Sequence, residues 1–277
     1  MTARVSIGVS LKMYFGHSDA RRWFLRVAEL AAGHPAVAEG RVEFFVIPTY
    51  LQVLPALEAF AGTRTLVGAQ DVAAWDHGAY TGEVGAPELA EVGVRVAEVG
   101  HAERRRLFGE TDEVVAAKVA ASLRSGIVPV LCLGEADRLD PAAAAAATVV
   151  QLHAALDGAP GGRVIVAYEP VWAIGAAEPA PAAHISAVAE RLRAELQTLD
   201  GRDGSTVIYG GSAGPGLLAE LGGSVDGLFL GRFAHDPDAL AGVLDEAAAL
   251  ADARADAGAD ADDRADAAAR TPTGAAS

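Results

Sequence analysis

The sequence has little cysteine and few aromatic residues. One cysteine, Cys132, occurs among 277 residues, and Phe, Trp and Tyr make up 6%. A single cysteine cannot form a disulfide within the chain, and a thiol inside an apolar run suits a reducing compartment. No apolar run approaches the roughly 20 residues of a membrane-spanning helix, and the first ten residues lack the apolar segment of a signal peptide. The sequence therefore predicts a soluble, cytoplasmic protein.

Positive charge is also scarce. The chain has 22 Lys and Arg against 37 Asp and Glu, a net charge of −15. This balance argues against nucleic acid and against anionic membrane surfaces as partners. It leaves room for a small phosphorylated ligand, which needs only a few local cations. No cluster of His, Cys or carboxylates has the spacing of metal ligands, so no metal is predicted.

Short apolar stretches alternate with helical patterns along most of the chain. The predicted strands span residues 5–10, 42–47, 65–69, 94–99, 127–133, 164–168, 206–209 and 227–230. The predicted helices span residues 19–32, 112–123, 141–156, 182–199 and 237–250. Eight strands that alternate with helices imply a parallel sheet, and eight parallel strands close a barrel. The α/β fold predicted is a (β/α)8 barrel in a single domain, residues 1–250.

The sequence changes character after about residue 250. Residues 251–277 are rich in Ala, Asp and Arg and contain no large apolar residue. Such a segment cannot bury enough surface to offset the entropy of ordering it. We predict a disordered C-terminal tail.

Polar residues follow several predicted strands, where the active sites of such barrels lie. Glu169 ends the sixth strand, and Pro170 and an apolar loop follow it. An unpaired buried carboxylate is costly, and an apolar loop that closes over one suits proton transfer away from water. Lys12 follows the first strand and can stabilise a phosphate or a developing oxyanion. His101 follows the fourth strand and precedes a short basic helix, whose N–H groups disfavour an added proton.

Glycines follow the last two strands. Gly210, Gly211 and Ser212 come after the seventh strand, and Gly231 and Arg232 come after the eighth. Glycines at these positions let backbone N–H groups approach a phosphate. Phosphate sites between the last two strands are common in this fold.

Two blocks identify a family. Residues 168–175, YEPVWAIG, and residues 100–113, GHAERRRLFGETDE, resemble triosephosphate isomerase. The resemblance extends from Ser10 to about Arg232. It implies an isomerase that moves a proton between adjacent carbons of a short sugar phosphate through an enediolate, without metal or organic cofactor. Glu169 would be the base, with His101 and Lys12 stabilising the intermediate.

The resemblance also implies a phosphate site and a partner subunit. Gly175 would offer its N–H to the phosphate, together with the residues after the seventh and eighth strands. The loop that contains Thr81 is similar to the loop that reaches the neighbouring subunit in this family, which implies a homodimer.

The chain departs from the family around the predicted site. Ser10 and Ala102 replace Asn and Ser, and Arg232 stands where the family has only small residues. The apolar loop after Pro170, residues 171–179, is the lid. It continues from Gly175 as Ala-Ala-Glu-Pro, which stiffens its distal hinge. The alternative functions are an isomerase of a four-carbon ketose phosphate (erythrulose phosphate) in sugar-alcohol catabolism and a non-catalytic phosphate-binding barrel. A Schiff-base aldolase would need a lysine inside the barrel, which the later strands do not offer.

Overall fold

The backbone forms one closed barrel. The computed structural model describes residues 4–269, with side chains described up to residue 259. Eight strands pair in parallel in chain order, and the eighth pairs with the first. The strands are β1 Val5–Ser10, β2 Val42–Ile47, β3 Leu66–Ala69, β4 Val96–Val99, β5 Val128–Leu133, β6 Ile165–Tyr168, β7 Thr206–Tyr209 and β8 Gly227–Leu230. This confirms the predicted (β/α)8 barrel.

Helices follow the strands. They are α1 His17–Gly33, α2 Pro35–Ala38, α3 Tyr50–Ala59, α4 Ala86–Val92, α5 Ala102–Phe108, α6 Asp112–Arg124, α7 Pro141–Leu156, α8 Ala182–Leu196, α9 Leu217–Leu221 and α10 Pro237–Ala269. Helix α7 has the predicted bounds, and the residues at its start explain where it begins. Pro141 takes the first position, where no N–H is needed, and the Asp140 carboxylate accepts from the N–H groups of Ala142 and Ala143, both at 3.1 Å.

The strands are buried on both faces. One apolar cluster fills the barrel and includes Phe45, Val130 and Phe229. A larger one packs between the strands and the surrounding helices. Packing inside the barrel is tight, because a Cβ placed on Gly8 would lie 2.2 Å from the Phe45 ring. Burial on both faces explains why the strands read as continuous apolar runs.

An ion cluster lies toward the amino ends of the strands. Glu43 near the start of β2 accepts two hydrogen bonds from Arg163, at 2.6 and 2.8 Å, and a third from Arg4 at 2.9 Å. Burial raises the pKa of the Glu43 carboxyl, but the bonds from Arg163 and Arg4 outweigh it and hold the pKa below its ordinary value. This cluster ties β2 to the segment that enters β6.

The last helix differs from the sequence prediction. We predicted that it ends at residue 250, but α10 continues to Ala269. Alanine is the strongest helix former, and Arg254 anchors the added turns because it donates to the Val225 carbonyl and to Asp226, at 2.9 and 3.0 Å. The start of the predicted disordered tail is therefore corrected. Its end, residues 270–277, lies outside the described residues.

Along residues 4–269, no helix combines the length and the apolar character needed to cross a membrane.

Candidate active site

A cavity of about 630 Å³ opens at the carboxyl ends of the strands. Loops after β1, β4, β6, β7 and β8 form its wall. Nine of the ten predicted site residues line it: Ser10, Lys12, His101, Glu169, Gly175, Gly211, Ser212, Gly231 and Arg232. The tenth, Gly210, packs behind Glu169 instead, where an added Cβ would lie 2.3 Å from Glu169 Oε1.

Lys12 is held in position by its backbone and by its charge. Its φ is +46°, a left-handed conformation that is costly for a side-chain-bearing residue. Gln70 donates a hydrogen bond to its carbonyl at 2.9 Å. Lys12 Nζ lies 2.7 Å from Glu103 Oε1. Burial lowers the pKa of Lys12, but the bond to Glu103 and the charge of Glu169 raise it above its ordinary value. Lys12 therefore presents a fixed positive charge.

His101 is the N-cap of α5, and its tautomer follows from that role. Its Nδ1 accepts a hydrogen bond from the backbone N–H of Glu103 at 3.1 Å. A nitrogen that accepts carries no hydrogen, so in the neutral ring the hydrogen is on Nε2. Nε2 faces Glu169, with Oε2 at 3.4 Å. His101 can thus donate a hydrogen bond into the cavity.

Glu169 follows β6 and is 6% exposed. Its contact with His101 lacks hydrogen-bond alignment, so Oε2 is buried with no hydrogen-bond partner among the described residues. Two glycines make room for this residue: a Cβ on Gly134 would lie 1.9 Å from the Glu169 carbonyl oxygen, and Gly210 backs its carboxylate. The site thus contains a carboxylate oxygen that is free to accept a proton.

A second carboxyl lies deeper in the barrel, and the sequence analysis missed it. Glu98 in β4 is 3% exposed and accepts a hydrogen bond from Ser10 Oγ at 2.8 Å. Its Oε1 lies 3.9 Å from His101 Nε2. Burial raises the pKa of the Glu98 carboxyl above its ordinary value. The charge of His101 lowers this pKa and the charge of Glu169 raises it, but burial is the larger effect. A glutamate inside an apolar strand was the available signal.

Buried hydrogen bonds hold the proximal part of the lid. Glu135 accepts from Trp172 Nε1 at 2.9 Å and from the Tyr168 hydroxyl at 3.1 Å, and it contacts His184 Nε2 at 3.1 Å. Because Trp172 belongs to the lid and Tyr168 to β6, Glu135 fixes the lid to the strand that carries Glu169.

Ser212 joins the lid to the loop after β7. Its hydroxyl lies 3.1 and 2.8 Å from the carbonyl oxygens of Ala173 and Ala176. Ser212 has φ +59°, and with Lys12 it makes up the positive-φ non-glycine residues among residues 4–269. Both line the cavity, so the backbone strain of the described chain collects at this site.

Arg232 lies on the cavity wall with an exposed side chain. Within the described residues, no hydrogen bond or ion pair holds its guanidinium. Burial, and then the charge of Arg232, lower the pKa of the neighbouring His235. The cavity therefore has a cation beside Gly231 that is available to a ligand.

Arg104 and Lys118 tie acidic side chains together behind the site. Arg104 lies 2.7 Å from Asp71 and 2.6 Å from Glu110, and Lys118 lies 2.6 Å from each of the same carboxylates. These ion pairs tie the loop after β3 to the segment between α5 and α6.

The loop that contains Thr81 is exposed and carries its own aromatic contact. The rings of Trp75 and Tyr80 stack at 4.1 Å, and both remain partly exposed. The predicted partner loop therefore presents a preformed tip to solvent.

Among the described residues, no group of three His, Cys, Asp or Glu side chains could hold a metal ion.

An eight-stranded barrel whose mouth brings together a lysine, a histidine and a buried glutamate defines an isomerase of small phosphorylated sugars. The family model of triosephosphate isomerase matches residues 5–247. The chain belongs to the triosephosphate isomerase family, and it is an intramolecular isomerase of the aldose–ketose type.

Individual relatives fall into two groups. An L-erythrulose-1-phosphate isomerase of Pectobacterium atrosepticum is 48% identical over 252 residues, which are 90% of this chain and 97% of that protein. A triosephosphate isomerase of Rhodococcus jostii is 36% identical and covers 87% of this chain and 95% of its own. The crystal structure of triosephosphate isomerase from Bartonella henselae superposes with a TM-score of 0.73 at 26% identity, over 88% of this chain and 98% of that one.

Proposed function

We propose that Glu169 is the catalytic base and that His101 and Lys12 stabilise the enediolate. The observation that carries this proposal is the unpartnered, buried Oε2 of Glu169, 3.4 Å from His101 Nε2. A carboxylate oxygen with no other hydrogen-bond partner is free to take a proton from a bound substrate. The His101 Nε2–H and the Lys12 ammonium would donate hydrogen bonds to the two oxygens on which negative charge develops.

The steps balance without any co-reactant. Glu169 removes a proton from the carbon next to the carbonyl, and the C–H electron pair forms the enediolate double bond. His101 Nε2–H and Lys12 stabilise the charged oxygens. The hydroxyl hydrogen of the neighbouring carbon passes to the former carbonyl oxygen. Glu169 then returns its proton to the former carbonyl carbon, and the carbonyl forms on the neighbouring carbon. Charge stabilisation by groups already in place requires little reorganisation.

The test of these roles is Glu169→Gln. We expect a folded protein that has lost at least about three decades of kcat, roughly 4 kcal/mol of barrier, because the amide cannot take the proton. Turnover and deuterium incorporation from D2O would be measured by NMR. If the Gln variant keeps most of its activity and exchange, Glu169 is not the base.

We propose further that the substrate is a four-carbon ketose phosphate of the erythrulose phosphate type. Ser10 supports this, because its hydroxyl is bound to Glu98 and it is a shorter side chain than the Asn of the family. The 48% identity to an L-erythrulose-1-phosphate isomerase supports it as well, against 36% for the triosephosphate isomerase of Rhodococcus jostii. In a four-carbon ketose the carbon that loses its proton carries a hydroxymethyl group, so the product is again a ketose.

The phosphate would be held by backbone N–H groups and by Arg232. Gly175, Gly211, Ser212 and Gly231 line one side of the cavity, and the Arg232 guanidinium can bind phosphate oxygens through two hydrogen bonds. Gly210 would act indirectly, because it shapes the space for Glu169. Because the three-carbon and four-carbon substrates both carry this phosphate, we expect Arg232→Gly to lower kcat/KM for both by about tenfold, 1.4 kcal/mol. Unchanged kcat/KM values would exclude Arg232 from phosphate binding.

We propose a homodimer that uses the loop containing Thr81. Large apolar side chains are exposed after three adjacent strands: Met13 at 90%, Leu51 at 87% and Trp75 at 49%. Exposed apolar side chains grouped at one end of a molecule mark interaction sites. Sedimentation equilibrium should give about twice the chain mass of 28.2 kDa, and a monomer would refute the proposal.

The buried single thiol of Cys132 supports a cytoplasmic location.

A further inference from the structure

Glu98 is a buried carboxyl for which the proposed proton transfer has no use. It lies two residues after Val96 in β4, and Val96 packs into the barrel interior, so the Glu98 side chain also points inward. The strand runs toward the cavity, and Glu98 therefore lies one layer deeper than His101. Burying a carboxyl without a close cation is costly, and an apolar residue of similar size would be more stable there. A residue with such a cost calls for a functional explanation.

Ser10 connects this carboxyl to the cavity. Ser10 lines the cavity wall, whereas Glu98 does not. The 2.8 Å bond between them crosses the barrel from β1 to β4. It lies below the two groups that follow those strands, Lys12 and His101. The pair therefore forms part of the floor of the site, under the position proposed for the reacting oxygens.

The direction of this hydrogen bond determines what the floor can recognise. The Ser10 hydroxyl has one hydrogen and donates it to Glu98 Oε2. Its oxygen can then only accept from a ligand. A hydroxyl that donates to one partner is a better acceptor for a second, because hydrogen bonds in a chain polarise one another. The floor is thus suited to a ligand hydroxyl that donates.

We propose that the Ser10–Glu98 pair binds the terminal hydroxyl of a four-carbon ketose phosphate and so sets the preference for four carbons over three. Ser10 makes the contact, and Glu98 is the positioning residue that orients the Ser10 hydroxyl. The inference rests on the proposed four-carbon substrate. A triose phosphate lacks the hydroxymethyl group that reaches this floor, so only the four-carbon substrate can form the hydrogen bond to Ser10. Sites built to bind a hydroxyl discriminate strongly against analogues that lack it.

Three variants test the pair on both substrates. Glu98→Leu removes the acceptor, Glu98→Gln keeps an amide oxygen that still accepts from Ser10, and Ser10→Ala removes the contact itself. Thr206→Val is the matched control, because Thr206 is a buried strand residue at the opposite end of the barrel whose hydroxyl has no hydrogen-bond partner in the described residues. kcat and KM would be measured with L-erythrulose 1-phosphate and with dihydroxyacetone phosphate, and folding would be followed by thermal melts.

The expected result is a loss confined to the longer substrate. Glu98→Leu and Ser10→Ala should each lower its kcat/KM at least about tenfold while the triose value changes less than about threefold. The double variant Ser10→Ala/Glu98→Leu should lose no more than either single variant, because the two residues act as one unit. Glu98→Gln should retain most of the four-carbon activity. Thr206→Val should leave kcat/KM unchanged for both substrates.

Two failures can be distinguished. If the wild-type enzyme does not turn over L-erythrulose 1-phosphate, the proposed substrate is refuted and the role of the pair with it. If the wild-type enzyme does so but Glu98→Leu loses both substrates equally, or neither, only the pair's role is refuted. If Glu98→Gln folds but loses the four-carbon activity, the pair's role is refuted as well, because the amide oxygen still accepts from the Ser10 hydroxyl.

Discussion

A methyl group added at Gly210 should inactivate the enzyme without unfolding it. The ideal Cβ would lie 2.3 Å from Glu169 Oε1, 2.6 Å from Cγ and 2.9 Å from Cδ. Ordinary contact between such atoms needs about 3.5 Å, so the carboxylate must move by about 1 Å. Gly210 does not have a left-handed φ, so alanine fits its backbone. The atoms that the added methyl group would contact belong to the Glu169 side chain, which can rotate away without moving the backbone.

The size of the effect follows from that displacement. A catalytic group misplaced by about 1 Å can cost about 100-fold in rate, or roughly 2.7 kcal/mol. We therefore expect Gly210→Ala to lower kcat about 100-fold, with a smaller change in KM because the phosphate contacts lie elsewhere. Steady-state kinetics on the proposed four-carbon substrate and on dihydroxyacetone phosphate would measure both values.

The control is another glycine-to-alanine change. Gly242 lies inside α10, and an added Cβ would meet no atom within 4 Å. Gly242→Ala should stabilise the protein by up to about 1 kcal/mol and leave kcat unchanged. If Gly210→Ala keeps wild-type kcat while its melt shows a folded protein, the position of the Glu169 carboxylate does not limit the rate, and the argument from this site fails.

The remaining predictions concern stability. Because the pKa of Glu43 is lowered in the folded state, its contribution is present above the ordinary pKa of glutamate and is lost as pH falls through the lowered folded-state pKa. Glu43→Gln should cost about 3 kcal/mol at neutral pH and flatten the acid limb of denaturant-measured stability; an unchanged limb would assign the acid sensitivity to other groups. Arg254→Met should cost about 1–2 kcal/mol, because Asp226 is 1% exposed and loses one of its charged donors. That loss should lower Tm by a few degrees, and an unchanged Tm would show that Arg254 does not anchor the added turns of α10.

The strands could be predicted because of how a barrel is buried. Parallel strands covered on both faces are short apolar runs, and β1, β2, β7 and β8 have the predicted bounds. Polar residues that directly follow these strands, such as Lys12, could then be predicted to lie at the mouth of the barrel. The order of the predicted strands along the chain was enough to predict the topology, because each strand of the barrel pairs with the next strand in sequence.

Other features depend on contacts between distant residues. Helix α3 was not predicted: Pro55 lies inside it, and Leu51 and Leu54 are exposed on its surface, so it lacks a polar face. The Ser10–Glu98 bond joins residues 88 apart in sequence. The extension of α10 depends on Arg254 reaching Asp226, which composition alone cannot show.

The most direct test of the account is the ratio of two specificity constants measured on the purified wild-type protein. We predict that kcat/KM for L-erythrulose 1-phosphate is at least comparable with that for dihydroxyacetone phosphate. The assay is proton NMR in D2O, where deuterium enters the carbon that Glu169 reprotonates. Turnover of the triose phosphates near the diffusional ceiling, with none on the four-carbon ketose phosphate, would contradict the account and leave a triosephosphate isomerase.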